Sequence, residues 1–170
     1  MANLDFPRGA VPIKGTSGSE QTNLYALAAV HDAIGQYDLV EIRADGCCHQ
    51  AVAASVTVVG IAAEAFAANT GTQIKVYDDP NIEFQMQSDD ATIAAQTNLG
   101  LADDFVIGAP VNGRSIAEID GNTGAVTATL PIKPIRVSQI VSQNGNAFGA
   151  NVLLDCRFNQ HYYKAGSVGI

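Results

Sequence analysis

From Val76 to Tyr163 the chain sets short amphipathic runs between Asp-, Asn- and Gly-rich turns, and that alternation constrains it to a β architecture. The clearest run is Val152–Asn159. Val152, Leu154, Cys156 and Phe158 fall on one face, and Leu153, Asp155, Arg157 and Asn159 on the other. Ile82, Phe84 and Met86 alternate in the same way with Glu83, Gln85 and Gln87, and Ile74 and Val76 with Gln73, Lys75 and Tyr77. Pro80 sits in the turn between those two runs, where its missing N–H breaks no ladder. Further strands are expected at 37–44, 48–53 and 56–63, the first two joined by an Asp45-Gly46 hairpin turn. Others are expected at 105–107, 115–119, 126–130 and 135–141, with turns at Asp120-Gly121-Asn122 and Asn144-Gly145-Asn146. Pro131 and Pro134 confine their segment to a sheet edge or a bend. Asp90 suits the N-cap of one short helix, Ala91–Asn98, with Gly100 past its end. Many short strands at this spacing predict an all-β fold, a small β-barrel or sandwich. No internal repeat of fixed period is visible.

Residues 1–23 read as an extended N-terminal arm, with Pro7, Pro12, Gly9, Gly15 and Gly18 and no sustained periodicity. Such an arm needs a support to be ordered; partner subunits are the simplest one, and the chain's own barrel would also serve. Thr22–Ile34 fits a helix by propensity and a strand by the alternation of Tyr25, Leu27 and Ala29, and the turn signals at Gly35 and Asp38 favour the extended form. The barrel domain is expected over 24–163, with a polar, Gly-containing C-terminal tail over 164–170.

Charge narrows the function classes. The chain carries a net charge of −8 and nine Lys and Arg in all, without a basic stripe, which argues against nucleic acid as a direct partner. The longest apolar-rich stretch, Ala51–Ala68, is interrupted by Ser55, Thr57, Gly60 and Glu64 and makes a poor membrane span. No secretory signal precedes the arm, so synthesis in the cytoplasm is expected. Hydrophobic residues make up 47% and charged residues 15%. That balance fits a surface partly covered by neighbours and, equally, a compact β-protein with small side chains. Cys47, Cys48 and Cys156 lack zinc or redox spacing and are read as reduced, Cys156 facing inward.

A search for chemistry finds little. The acidic doublets Asp78-Asp79, Asp89-Asp90 and Asp103-Asp104 carry oxygen ligands of the kind calcium takes. No EF-hand spacing accompanies them, and Asp serves turns for local reasons, so they are read as turn residues. His31, His49 and His161 stand far apart and are read as surface or interface side chains. Tyr162 and Tyr163 join His161 in a polar aromatic cluster suited to an interface or to a strand end under its own tail. No GxGxxG, Walker A or HExxH motif occurs, and no cofactor and no enzymatic activity are expected.

The pieces NLDFPRG, TNLY, DLVEIRADG, VVGIAAE, VYDDPNIEFQMQ, GRS, TATLPI, NAFGAN and NQHYY occur in that order. Together, from arm to last residue, they resemble the head decoration or capsid cement proteins of tailed bacteriophages. VYDDP followed by the EFQMQ strand is the most specific element. Two departures stand out: Cys47-Cys48 where turn or apolar residues are expected, and Tyr37 where a glycine is more usual. The resemblance implies a small β-barrel virion protein on the exterior of the assembled capsid. Its partners would be the major capsid protein and further copies of itself, as a homotrimer or as strand-exchanging neighbours. Contact residues are expected in the arm, at Leu4, Phe6, Pro7, Val11, Pro12 and Ile13, and near the C-terminus, at His161, Tyr162 and Tyr163. Alternatives are a head-completion or tail-associated virion β-protein and a glycan-binding module, the last disfavoured by the absence of Trp.

Overall fold

The computed structural model describes residues 3–15, 21–89, 96–138 and 146–166. Its strands are β1 (Val11–Lys14), β2 (Asn23–Ala26), β3 (Leu39–Ile42), β4 (Cys48–Gln50), β5 (Val58–Ala62), β6 (Gln73–Tyr77), β7 (Glu83–Gln87), β8 (Ala102–Val106), β9 (Glu118–Ala125), β10 (Ile132–Val137) and β11 (Leu153–Phe158). The all-β expectation holds. Most of the expected helix, with its Asp90 cap, lies outside the described residues; its last turn, Gln96–Asn98, is 3-10.

The strands form two antiparallel sheets, ordered β2-β6-β5-β3-β4 and β1-β7-β11-β10-β8-β9. Each curls until the residue after its leading strand meets a later strand in a parallel bridge, Leu27 with Cys48 and Ser88 with Ile119. Leaving β1 aside, the two halves share one strand order: β7, β11, β10, β8 and β9 stand where β2, β6, β5, β3 and β4 stand. The registers match as well. Tyr25 pairs with Ile74 as Met86 pairs with Leu154, and Ala26 with Gln73 as Gln87 with Leu153. Ile42 pairs with Cys48 as Phe105 pairs with Ile119. The bonds beyond the leading strands also correspond. Leu27 N–H donates to Thr72 and Ala28 N–H to Cys48, as Ser88 N–H donates to Val152 and Asp89 N–H to Ile119. The chain is a tandem of two similar five-stranded barrels. No fixed-period repeat marks it in the sequence, because the loops between matched strands differ in length.

Inward residues follow the shared register. Leu27, Val40, Cys48, Val59, Ala62, Ile74 and Val76 fill the first barrel. Phe84, Met86, Phe105, Ile119, Leu154, Cys156 and Phe158 belong to the core of the second, which continues onto the outward face of the first through Leu39, Val58 and Ile61. Burial raises the Cys48 thiol to about 12 and the Cys156 thiol well above its usual value, so both are protonated core groups. The Gly35–Asp38 turn forms as expected, with Gly35 N–H donating to the buried Asp38 carboxylate (2.6 Å). Within it Tyr37 has φ +74°, a left-handed conformation that favours glycine.

Several sequence expectations are corrected. Residues 126–130 form no strand; the carbonyls of Ala128 and Leu130 accept from the Asn159 side chain instead of a ladder (3.4 and 3.0 Å). Asp120-Gly121-Asn122 is no turn but lies inside β9, where Asp120 pairs with Asp104. Pro134 lies not at a sheet edge but inside β10, between β11 and β8, and at an irregularity of the ladder: the register against β11 shifts between Pro134 and Arg136. It is tolerated because β10 meets β8 at the single pair Ile132–Asp103, leaving the proline nitrogen with no ladder bond to make. Asp103 and Asp104 are strand residues of β8, not turn residues.

Candidate partner-binding surface

The N-terminal segment runs along the edge of the second barrel. β1 pairs antiparallel with β7, Val11 opposite Gln85 and Pro12 opposite Phe84. Upstream, the Gln87 side chain clamps the backbone: its amide nitrogen donates to Leu4 O (2.6 Å) and its oxygen accepts from Phe6 N–H (2.9 Å). Asn3 donates to the carbonyls of Ala147 and Ala150 (both 2.8 Å). Ala10 is buried and donates to Tyr37 O (2.9 Å). Gly9, at φ +71°, passes so close to Ser115 and Tyr37 that a Cβ there would lie 2.4 Å from the serine side chain. Of the two supports the arm composition allowed, residues 3–15 use the chain's own barrel. Held this way, Leu4 (79% exposed), Phe6 (62%) and Ile13 (39%) point outward, while Pro7, Val11 and Pro12 are half-buried.

Near the C-terminus the expected cluster divides. His161 is corrected from a contact residue to a core residue. It packs between Phe158 and Tyr163, at ring-centroid distances of 4.9 and 5.8 Å. Its Nδ1 accepts from Tyr163 N–H (3.2 Å), and among the described residues Nε2 has no partner. Burial lowers its pKa to about 4 against weaker pulls from the Val59 backbone and Asp78, so the ring is neutral near pH 7. His31 and His49 are buried too, His31 against the carbonyls of Asp32 and Thr70 and His49 against Asp45 (2.9 Å). Tyr162 and Tyr163 remain exposed. The Tyr163 hydroxyl meets that of Tyr25 (3.0 Å), and Tyr25 donates to Asp78 (2.5 Å), which also accepts from Asn23. Burial, then the bond to Asp78, raises the Tyr25 pKa, so this phenol stays protonated.

The two ends converge on a recess of about 310 Å³ lined by Lys14, Gly15, Asn81, Glu83 and Arg157. Lys14 closes β1, and Lys164 reaches in from the C-terminal segment to Asn81 Oδ1 (3.2 Å). Glu83 ion-pairs with Arg157 and with Arg136 (3.0 Å), and Arg136 also holds Asp155 (2.7 Å). Arg157 first and Arg136 second hold the Glu83 carboxyl below the usual range. Alternation set Glu83, Gln85 and Gln87 on the face of β7 opposite Phe84 and Met86, and such a polar face is ordinarily turned to solvent. Instead all three are buried under the N-terminal segment and this ion-pair network.

Asp90 lies outside the described residues; the other doublet carboxylates, Asp103 apart, are spent on main chain and neighbours. Asp79 accepts from Asn81 N–H (2.9 Å), Asp89 from Gly121 N–H (3.2 Å), and Asp104 from Ala54 N–H (2.7 Å). Among the described residues no group of three or more His, Cys, Asp or Glu is placed to hold a metal ion, and no helix is long and apolar enough to cross a membrane. Asp103 differs from its neighbours. It is buried with Oδ2 unpartnered among the described residues, and desolvation, then Asp120, raises its pKa to about 7. Sequence reading also passed over Leu24, which is 60% exposed on β2, the edge strand of the first barrel. Its signal was an uncharged stretch, Gln21–Val30, without proline. No protein-family model matches the chain, and neither a curated protein nor a solved structure shows significant similarity to it.

Proposed function

We propose that this chain is a structural virion protein, a decoration or cement protein that binds the exterior of an assembled phage capsid and stabilises the shell. The supporting observation is the outward row Leu4, Phe6 and Ile13, fixed by main-chain and side-chain bonds along the β7 edge. Apolar side chains presented on a preorganised strand bind at low ordering cost. The sequence resemblance points the same way. The major capsid protein is the primary partner, and further copies of this chain, as a homotrimer or as strand-exchanging neighbours, are the second. A ligand that binds only the assembled shell stabilises it by mass action, and no catalytic step is required. Buried area dominates over charge, so modest salt weakens binding little. The test is genome release from heads against temperature, with and without added protein, at low and high salt. Added protein should raise the release temperature at both salt concentrations. Identical curves in all four conditions overturn the cement role and favour a head-completion or tail position.

A further inference from the structure

Most of the chain's cations gather around one face of the second barrel. Lys14 of β1, Glu83 of β7, Arg157 of β11 and Lys133 of β10 stand in one cross-strand row, each paired with the next. Arg136 joins that row through Glu83, and Lys164 approaches it through Asn81. Lys14, Lys133, Arg136, Arg157 and Lys164 are five of the nine Lys and Arg residues in a chain of net charge −8. The recess where the two ends converge opens on this face, lined by Lys14, Gly15, Asn81, Glu83 and Arg157.

The charges around the recess do not cancel. Both carboxylate oxygens of Glu83 are already taken, Oε1 by Arg157 and Oε2 by Arg136. Lys14 is exposed and has no ion-pair partner among the described residues. Lys164 donates to a neutral amide oxygen, that of Asn81 (3.2 Å). The acidic pair of the adjoining turn is engaged elsewhere, Asp78 by Tyr25 and Asn23 and Asp79 by Asn81 N–H. Lys133 adds a like charge directly opposite Arg157, a pairing that destabilises a sheet. The lining itself holds two cations, Lys14 and Arg157, against the single carboxylate of Glu83. We infer that the recess receives one Asp or Glu side chain of the shell protein, with Lys14 as its ion-pair partner.

Charge, size and position select that occupant. A deficit of one negative charge in the lining suits a monoanionic carboxylate, whereas a phosphate carries nearly two charges and a nucleic-acid backbone needs several cations in line. At about 310 Å³ the recess is at the small end of ligand sites, with room for a side chain and not for a polymer. Lys14 directly follows Ile13, the last member of the outward apolar row, so a partner seated on that row carries its own side chains over the recess. An enclosed ion pair is screened little, so it adds specificity and leaves binding only weakly dependent on salt. This inference rests on the shell reading of the proposed function and names the chemistry of the contact, and the two fail in distinguishable ways.

The experiment is carbodiimide cross-linking of the full chain bound to expanded empty shells, read by peptide mass spectrometry. The reagent activates a carboxylate, and the Lys14 amine displaces the resulting urea to leave an amide, so the product reports carboxylates in contact with Nζ. The expected product joins Lys14 to one Asp or Glu of the shell protein. In parallel, Lys14→Gln should weaken shell binding about threefold and Lys14→Glu at least about tenfold. Lys75→Glu, the same charge change at an exposed site of the first barrel, should bind within about twofold of the wild type. Lys14 joined only to its own chain or to a second copy, binding undiminished in both Lys14 variants, or an equal loss in Lys75→Glu each overturn the inference and leave the shell reading standing. A wild-type chain that binds no shell overturns both.

Discussion

Val40 and Asp103 occupy matched positions in the two barrels, fixed by the pairs Glu41–His49 and Asp104–Asp120 immediately beside them. One is an apolar side chain in an apolar interior; the other is a buried carboxyl whose pKa lies near 7. The leading strands differ as well: β7 carries an added strand, β1, and β2 carries none among the described residues. The same strand order and register therefore do not fix what a barrel encloses or what its edge meets. Backbone pairing supplies the frame, and a few side chains decide whether a half is self-contained.

The sharpest way to break the comparison is in the cores. Phe158 is 2% exposed and stacks on Phe84 at 5.0 Å; its counterpart at the end of β6 is Asp78, which only accepts hydrogen bonds from Asn23 and Tyr25. Phe158→Ala should cost about 3–5 kcal/mol in denaturant unfolding, and Asp78→Ala about 1–2 kcal/mol. A Phe158→Ala loss under ~1 kcal/mol would show that the second barrel is built differently.

Asp103 tests the interior contrast next. Its folded pKa of about 7 lies above the ordinary 3.8, so between those values the native state binds more protons than the unfolded chain and stability falls as pH rises. Asp103→Asn should therefore stabilise the protein by about 2–4 kcal/mol at pH 8, with the advantage shrinking towards pH 4. His161 has the opposite sign. Its folded pKa of about 4 lies below the ordinary 6.5, so its contribution is present above pH 6.5 and lost as pH falls to 4. In the wild type the two slopes offset, and Asp103→Asn should uncover the histidine's slope. Thermal melts between pH 4 and 8 measure both, and equal pH profiles for wild type and variant would contradict the assignment.

Smaller effects separate the edges. Removing residues 1–9 takes away the Asn3, Leu4 and Phe6 anchors but spares β1, and should cost about 1 kcal/mol of stability while shell binding falls at least about tenfold. Unchanged occupancy on shells would remove the N-terminal row from the contact. Leu24→Lys, at an exposed side chain of β2, should change the stability of the protein by less than about 0.5 kcal/mol.

Much of this fold was legible because β-alternation is a local signal. Gln73–Tyr77 and the inward set Val152, Leu154, Cys156 and Phe158 could be read directly. What escaped depends on contacts far apart in the chain. Pro134 is admissible in β10 only because β8 turns away after one pair. The polar face of β7 is buried only because residues 3–14 return to it. The tandem was hidden because matched positions do not keep residue identity, as with Tyr25 and Met86 or Cys48 and Ile119, and in places not even polarity, as with Val40 and Asp103. At the candidate surface, the exposed Leu4, Phe6, Ile13, Tyr162 and Tyr163 were named from sequence. The burial of His161 was not, since it depends on Phe158 and Tyr163 closing over the ring.

Co-sedimentation of the purified chain with expanded empty shells, and separately with unassembled shell protein, decides the functional reading most directly. Saturable binding to assembled shells alone, on the order of hundreds of copies per particle, is the predicted result, as expected of a ligand selective for the assembled state. Equal binding to unassembled shell protein, or saturation at about a dozen copies, would contradict it.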